Sequence, residues 1–295
     1  MTLNSGGDIK IIDAFTFFNA VDLLKMRLQL HAPYVDQFYI CEANVTYSGL
    51  PKDYIFERHQ DEFAPWEDKI TYIKFAPSLA GLDFSKRDKE QNLHFNSPAW
   101  ILEFKQRDEL KKHIQDVNDD DIVIITDMDE FIDPKIFHCV KQYSQGQEWV
   151  EARLNMPFFV YYMNCIWPGK LWTHPYLVKG KRFREIESLS HHRHSVGMLN
   201  WFTDAGWHFS SLGGLDAVMD KFKATSHTEY MEAGVVEEGY IRDCMKFCMN
   251  PTLDRKEPRL QSTEFGFLPL NVFPPELRKI MLNNPQFILT DLKGD

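Results

Sequence analysis

From residue 9 to residue 126 the chain alternates short apolar runs with stretches of helical spacing, and this alternation admits few folds. IKIIDAFTF (9–17) has strand composition. AVDLLKMRLQLH (20–31) repeats apolar residues at helical spacing until Pro33 ends the pattern. FYICEA (38–43) and KITYIKFA (69–76) predict two more strands, and residues 99–117 predict a long amphipathic helix feeding a strand at 122–126. Strands separated by helices imply an α/β fold, with a largely parallel, Rossmann-like sheet flanked by helices. In such sheets ligands collect beyond the carboxyl ends of the strands, near a switch in strand order.

After Pro134 the texture changes. A short helix over 134–144 precedes aromatic and β-branched runs at 149–163, 171–178 and 207–212, which predict a more antiparallel half. Helical patterns return at 215–223, 235–249 and 275–283. No repeat, low-complexity tract or Pro/Ser-rich linker divides the chain. The expected organisation is a disordered segment over 1–8, a single domain over 9–268 with halves meeting between 133 and 134, and a wrapping segment over 269–295.

Composition narrows the function classes. The 295 residues can bury a full core, and 14% aromatic content supplies rings on which sugars or bases stack. A formal net charge of −10 argues against a nucleic-acid partner, which needs clustered Lys and Arg to displace counterions. The polar N-terminus and the lack of a long apolar run predict no signal peptide and no transmembrane segment. Five cysteines without CxxC spacing agree with a reducing cytoplasm, and Cys244 and Cys248 are expected to face the core.

IVIITDMDEF (122–131) runs from an apolar strand into three acids. In extended backbone, residues two apart point the same way, so Asp127 and Asp129 would face one site while Met128 turns inward. Paired carboxylates are hard oxygen ligands suited to Mg²⁺ or Mn²⁺, and Glu130 is expected to support them from the other side. The same acids would serve equally as a solvated strand end. Phosphatases of the haloacid-dehalogenase type use similar letters, but Phe131 stands where they carry Thr or Val, and no correctly spaced partner motif follows.

Downstream, DAGWHFSSLGG (204–214) offers Gly206 for close backbone approach, Trp207 for stacking and His208 as a further metal donor. KFKATSHTEY (221–230) leaves His227 and Glu229 beyond a helix end. KGKRFRE (179–185) and HHRH (191–194) form a basic stretch that reads as solvated loop or as a contact for an anion. Tyr161, Tyr162, Trp167, Trp172 and Tyr176 read as core or as a sugar platform.

Six of these stretches, taken in order, resemble glycosyltransferase family 17, the group that includes β-1,4-mannosyl-glycoprotein N-acetylglucosaminyltransferases. They are IIDAFTFFNAVDLLKMRL (11–28), VDQFYICEANVTYSGLPK (35–52), FKQRDEL (104–110), DDDIVIITDMDEF (119–131), AGWHFSSLGG (205–214) and KFKATSHTEY (221–230). The sequence departs from the family's pattern at Ala20, where an acid is common, and at Phe131-Ile132, where Ile-Pro is frequent.

The resemblance implies a GT-A-like fold, with residues 9–133 as the nucleotide-sugar-binding half and 134–268 as the acceptor-side half. It implies inverting transfer of a sugar (GlcNAc by family default, or xylose or another sugar) from a UDP-sugar donor to a hydroxyl of a glycan or glycoprotein such as an N-glycan. Asp127, Asp129 and His208 are then the expected ligands of Mn²⁺ or Mg²⁺. Glu42, Lys52, Arg107 and Asp127 are expected to contact the donor, and Glu229 or Asp204 to act as base. A nucleoside diphosphate leaves well once a cation stabilises it, so a single base suffices. The competing readings are a metal-dependent phosphohydrolase and an inactive carbohydrate-binding relative.

Overall fold

The computed structural model describes residues 9–85, 95–143, 150–195, 197, 200–227, 237–249 and 266–290. The first half runs β1 (Ile11–Phe17), α1 (Val21–His31), β2 (Gln37–Ala43), the single turns α2 (Ile55–Arg58) and α3 (Gln60–Phe63), β3 (Ile70–Phe75), α4 (Pro98–His113) and β4 (Ile122–Asp127). β1 is parallel to both β2 and β4, and β2 is parallel to β3. Every residue of β1 is buried, as a central parallel strand covered on both faces requires.

Alternation along β1 sorts its side chains between two cores. Ile11, Phe15 and Phe17 pack with Leu24 and Leu28 of α1, whereas Ile12 and Ala14 pack on the other face with Leu110 of α4. β2 and β3 lie to one side of β1 and β4 to the other, so strand order reverses at the β1/β4 junction. Register brings Thr16 opposite Asp127 and Phe17 opposite Glu42 at the carboxyl ends. α4 stops at His113 rather than at 117. Asp121 turns the chain there, accepting from the Asn118 and Lys10 backbone N–H groups.

The second half comprises β5 (Glu130–Ile132), α5 (Pro134–Tyr143), β6 (Glu151–Leu154), β7 (Met156–Val160), β8 (Cys165–Trp172), β9 (Tyr176–Lys179), α6 (Gly180–Glu185), α7 (Leu189–His194), β10 (Trp201–Phe202) and β11 (Gly206–Ser210). α8 (Gly214–Ala224), α9 (Glu238–Lys246), β12 (Gly266–Phe267) and α10 (Pro275–Asn283) follow. β9 extends the first sheet antiparallel to β4, and β6 pairs antiparallel with β9, giving the order β10-β6-β9-β4-β1-β2-β3. A second sheet has the order β12-β8-β7-β11-β5.

This half is mixed rather than simply antiparallel: β10 runs parallel to β6, and β11 parallel to β7. Long connections allow parallel pairing that adjacent hairpins forbid. The basic stretches expected as loops are helices α6 and α7, and among the described residues of 235–249 the helix spans Glu238–Lys246. Cys244 and Cys248 are buried, as expected. α10 packs Leu277, Ile280 and Met281 against Leu23, Met26 and Leu30 of α1. The α/β class holds, in the form of two mixed sheets flanked by helices. No helix among the described residues is long and apolar enough to cross a membrane.

Candidate active site

A cavity of about 430 Å³ opens at the carboxyl ends of β1, β2 and β4 and is closed from the other side by β8, β11 and α8. Its floor carries Asp127 and Asp129, both of which line it as expected. The backbone reason differs from the one read in the sequence. β4 ends at Asp127, and Met128-Asp129 form a turn before β5 begins at Glu130. Both carboxylates therefore reach one cavity through a turn, not through strand alternation, and Met128 lines it too.

That turn is held from beneath by Arg27 of α1, a residue the sequence did not single out. Its fully buried guanidinium donates to the main-chain carbonyls of Asp127 (2.9 Å), Met128 (3.2 Å) and Glu130 (2.8 Å). It also donates to both oxygens of Asp13 and to the Thr126 hydroxyl. His31 completes the network: Ile132 N–H donates to its Nε2 at 3.0 Å, so Nδ1 carries the proton and donates to Asp13 at 2.9 Å. Burial opposes the Asp13 charge, but Arg27 and His31 outweigh it and hold the carboxyl below its usual range. Burial likewise keeps His31 neutral by lowering its pKa.

Two more arginines meet Asp127 from above. Arg107 of α4 donates to Oδ1 at 2.8 Å and Arg193 of α7 to Oδ2 at 2.7 Å. Both guanidiniums are buried. Burial would raise the Asp127 pKa; Arg193 and Arg107 reverse that and depress it strongly. Arg193 also pairs with Glu130, whose carboxylate accepts from Trp172 Nε1 and, at 2.7 Å, from Asp127 N–H. Burial pushes the Glu130 pKa up despite Arg193. Glu130 thus has the supporting place expected of it. HHRH, read as a solvated loop or anion contact, instead supplies the buried counter-charge of the acidic turn.

Asp129 has different company. Lys221 of α8 donates to Oδ2 at 2.8 Å, and His208 Nε2 stands 3.5 Å from Oδ1, long for a hydrogen bond. Burial opposes the Asp129 charge, yet Lys221 and His208 depress its pKa strongly. His208 reaches the turn because β11 pairs antiparallel with β5, setting His208 opposite Glu130. Gly206 makes that pairing possible: a Cβ there would lie 1.9 Å from the Phe131 carbonyl oxygen, at φ +154°. The His208 ring stacks on Trp172 at 4.4 Å, and its buried Nδ1 has no hydrogen-bond partner.

Asp127, Asp129 and His208 do not converge as a three-ligand cage. Among the described residues no group of three or more His, Cys, Asp or Glu side chains is placed to hold a metal ion. The donor chemistry still fits a divalent ion held through Asp129 and the imidazole beside it. Mg²⁺-type ions commonly take one or two carboxylates and complete their shell with phosphate and water. Asp127, with an arginine on each oxygen, is the poorer ligand of the pair.

The remaining expected residues fall in different places. Lys52 lines the cavity, but its ammonium donates to Glu42 and to the carbonyls of Ala43 and Asp53. Glu42 is fully buried behind it and accepts from Lys52, the Ile55 and Phe56 N–H groups and the Tyr72 hydroxyl, so it anchors Lys52 rather than facing the cavity. Asp204 is exposed in the turn between β10 and β11, at φ +49°, and does not line the cavity. Glu229 lies outside the described residues, although His227, two positions earlier, lines the cavity. Trp167 and Trp172 face the cavity; Tyr161 and Tyr176 are buried, donating their hydroxyls to main-chain carbonyls.

The profile of glycosyltransferase family 17 matches residues 4–246 of this chain. No curated protein sequence matches it significantly. Among solved structures, the apo form of mouse xyloside xylosyltransferase 1 aligns with 8% sequence identity and a TM-score of 0.31, over 96% of this chain and 85% of that one. At that score the backbones correspond loosely, and the activity of that enzyme does not transfer.

Proposed function

The chain belongs to glycosyltransferase family 17 and is a glycosyltransferase, and we propose that it moves a sugar from a UDP-sugar to a hydroxyl of a glycan acceptor, inverting the anomeric centre to form a β-linkage. One observation supports this reading above the others: an acidic turn flanked by Arg107, Arg193 and Lys221 lies at the carboxyl end of β4, beside the β1/β4 reversal. Open α/β sheets bind nucleotides at such a point. The phosphohydrolase alternative is set aside by the family, and Asp127 would in any case be a poor nucleophile with both oxygens engaged by arginines.

A divalent ion bound at Asp129 would supply positive charge for the leaving diphosphate. The chain's own residues do the rest. Arg27 holds the turn so that Asp127 and Asp129 stay in the cavity. Arg107 and Arg193 keep Asp127 ionised and add positive potential where the diphosphate charge develops. Trp167, Trp172 and the neighbouring histidines offer ring faces to sugar. The base is proposed to be Glu229, because the chain leading to it runs along the cavity while Asp204 points elsewhere.

The test is a thermal-shift screen of nucleotide sugars with and without Mn²⁺, followed by transfer assays with the stabilising donor. A donor at about a hundred times its Kd adds roughly 2.7 kcal/mol of stability. Glu229→Gln should keep the donor shift and lose transfer by about a hundredfold or more. No shift with any nucleotide sugar would refute the donor assignment, and full transfer by Glu229→Gln would refute the base.

A further inference from the structure

The two acids of the turn are neutralised in unequal ways. The arginines on Asp127 have side chains only 1% and 2% exposed, and each makes further buried contacts, with Ser190 for Arg107 and with Glu130 for Arg193. They cannot leave without exposing unpaired buried charge. Lys221 on Asp129 is 40% exposed, and its second contact is a long 3.4 Å approach to the Ser210 hydroxyl. A flexible four-carbon stem carrying a strongly hydrated ammonium exchanges partners readily where a buried guanidinium does not.

From this asymmetry we propose that Lys221 is a built-in competitor for the cation site: it occupies Asp129 when no metal is bound and yields that carboxylate when metal and diphosphate enter together. The inference rests on the metal-assisted reading above. An ammonium 2.8 Å from Oδ2 repels a divalent ion approaching the same carboxylate, so metal alone binds weakly. A diphosphate removes that obstacle, because the ammonium displaced from Asp129 gains phosphate oxygens as partners in the same cavity. Lys221 thereby couples metal binding to nucleotide binding and keeps the enzyme from holding a metal without its donor.

The experiment measures Mn²⁺ binding to the full chain by calorimetry and by loss of the free-ion paramagnetic signal, without nucleotide and then with UDP. Lys221→Met should bind Mn²⁺ on the order of tenfold more tightly than wild type in the absence of UDP. It should also show a smaller gain in Mn²⁺ affinity on adding UDP. Lys221→Arg, which keeps the charge, should keep the weak Mn²⁺ binding of wild type in the absence of UDP, and Asp129→Asn should bind Mn²⁺ in neither condition. Lys221→Gln gives the same comparison if the Met variant melts at a lower temperature. Equal Mn²⁺ affinity in wild type and the uncharged variants, with UDP-dependent binding intact, overturns the role of Lys221 alone. Absence of Mn²⁺ binding in every protein while UDP still binds overturns the metal-assisted reading, and the inference with it.

Discussion

Arg193 joins two acids with one guanidinium, donating to Asp127 Oδ2 at the cavity and to Glu130, which is fully buried. Breaking a buried pair by removing one partner is strongly destabilising because it strands the other charge. Arg193→Met is therefore expected to lower unfolding free energy by about 3 kcal/mol or more, read from urea titration. Arg193→Lys should lose less but still weaken donor binding, since an ammonium lacks the planar fork that spans both carboxylates. A loss under about 1 kcal/mol for the Met variant would show the pair to be unimportant for stability. The acids of this cluster were legible in IVIITDMDEF, but their partners were not. Arg27, Arg107, Arg193 and Lys221 stand far apart in sequence and meet at one turn through tertiary folding.

At the level of elements, the site depends on how closely β11 approaches β5. Phe209 N–H donates to the Asp129 carbonyl at 2.8 Å, and the pairing carries His208 to the acidic turn. Gly206→Ala places a methyl against the Phe131 carbonyl, with the nearest atom 1.9 Å from the ideal position, and must push the two strands apart. The expected result is a loss of stability exceeding about 1 kcal/mol and, on the proposed function, a larger proportional loss of donor binding. Gly239→Ala in α9, which meets nothing within 4 Å, is the control and should be neutral or stabilising. Equal behaviour of the two variants would dismiss the strand-approach argument. The AGWHF motif marked Gly206 as a place of close approach; the partner, β5, followed from sheet topology alone.

Across the whole molecule, the cavity brings together histidines that remain neutral at mildly acid pH. Burial, reinforced by Arg193, pushes His174 down to about 4 from its ordinary 6.5. Burial, with His174 and Arg193 nearby, pushes His194 down to about 3. The unfolded chain takes up these protons as pH falls through about 6.5, while the folded chain refuses them until pH 4 or below. Stability from these groups is thus fully present above pH 6.5 and declines towards pH 4, with His31 adding the same sign. Melting temperature measured across that range should fall, and the His174→Asn/His194→Asn double variant should show a shallower slope. An unchanged slope would refute the assignment.

The same scale separates the two sources of information. Local periodicity determined the α/β alternation, the position of β4 and the acids at its end, because a strand or helix face is set by residues within one segment. Six ordered motifs carried the family. The tertiary structure alone decided that a turn follows Asp127 and carries Asp129, that HHRH is helical with Arg193 buried, and that Asp204 lies outside the cavity. Whether a charge is buried, paired or free depends on side chains brought from other segments by packing, and no local pattern records that encounter.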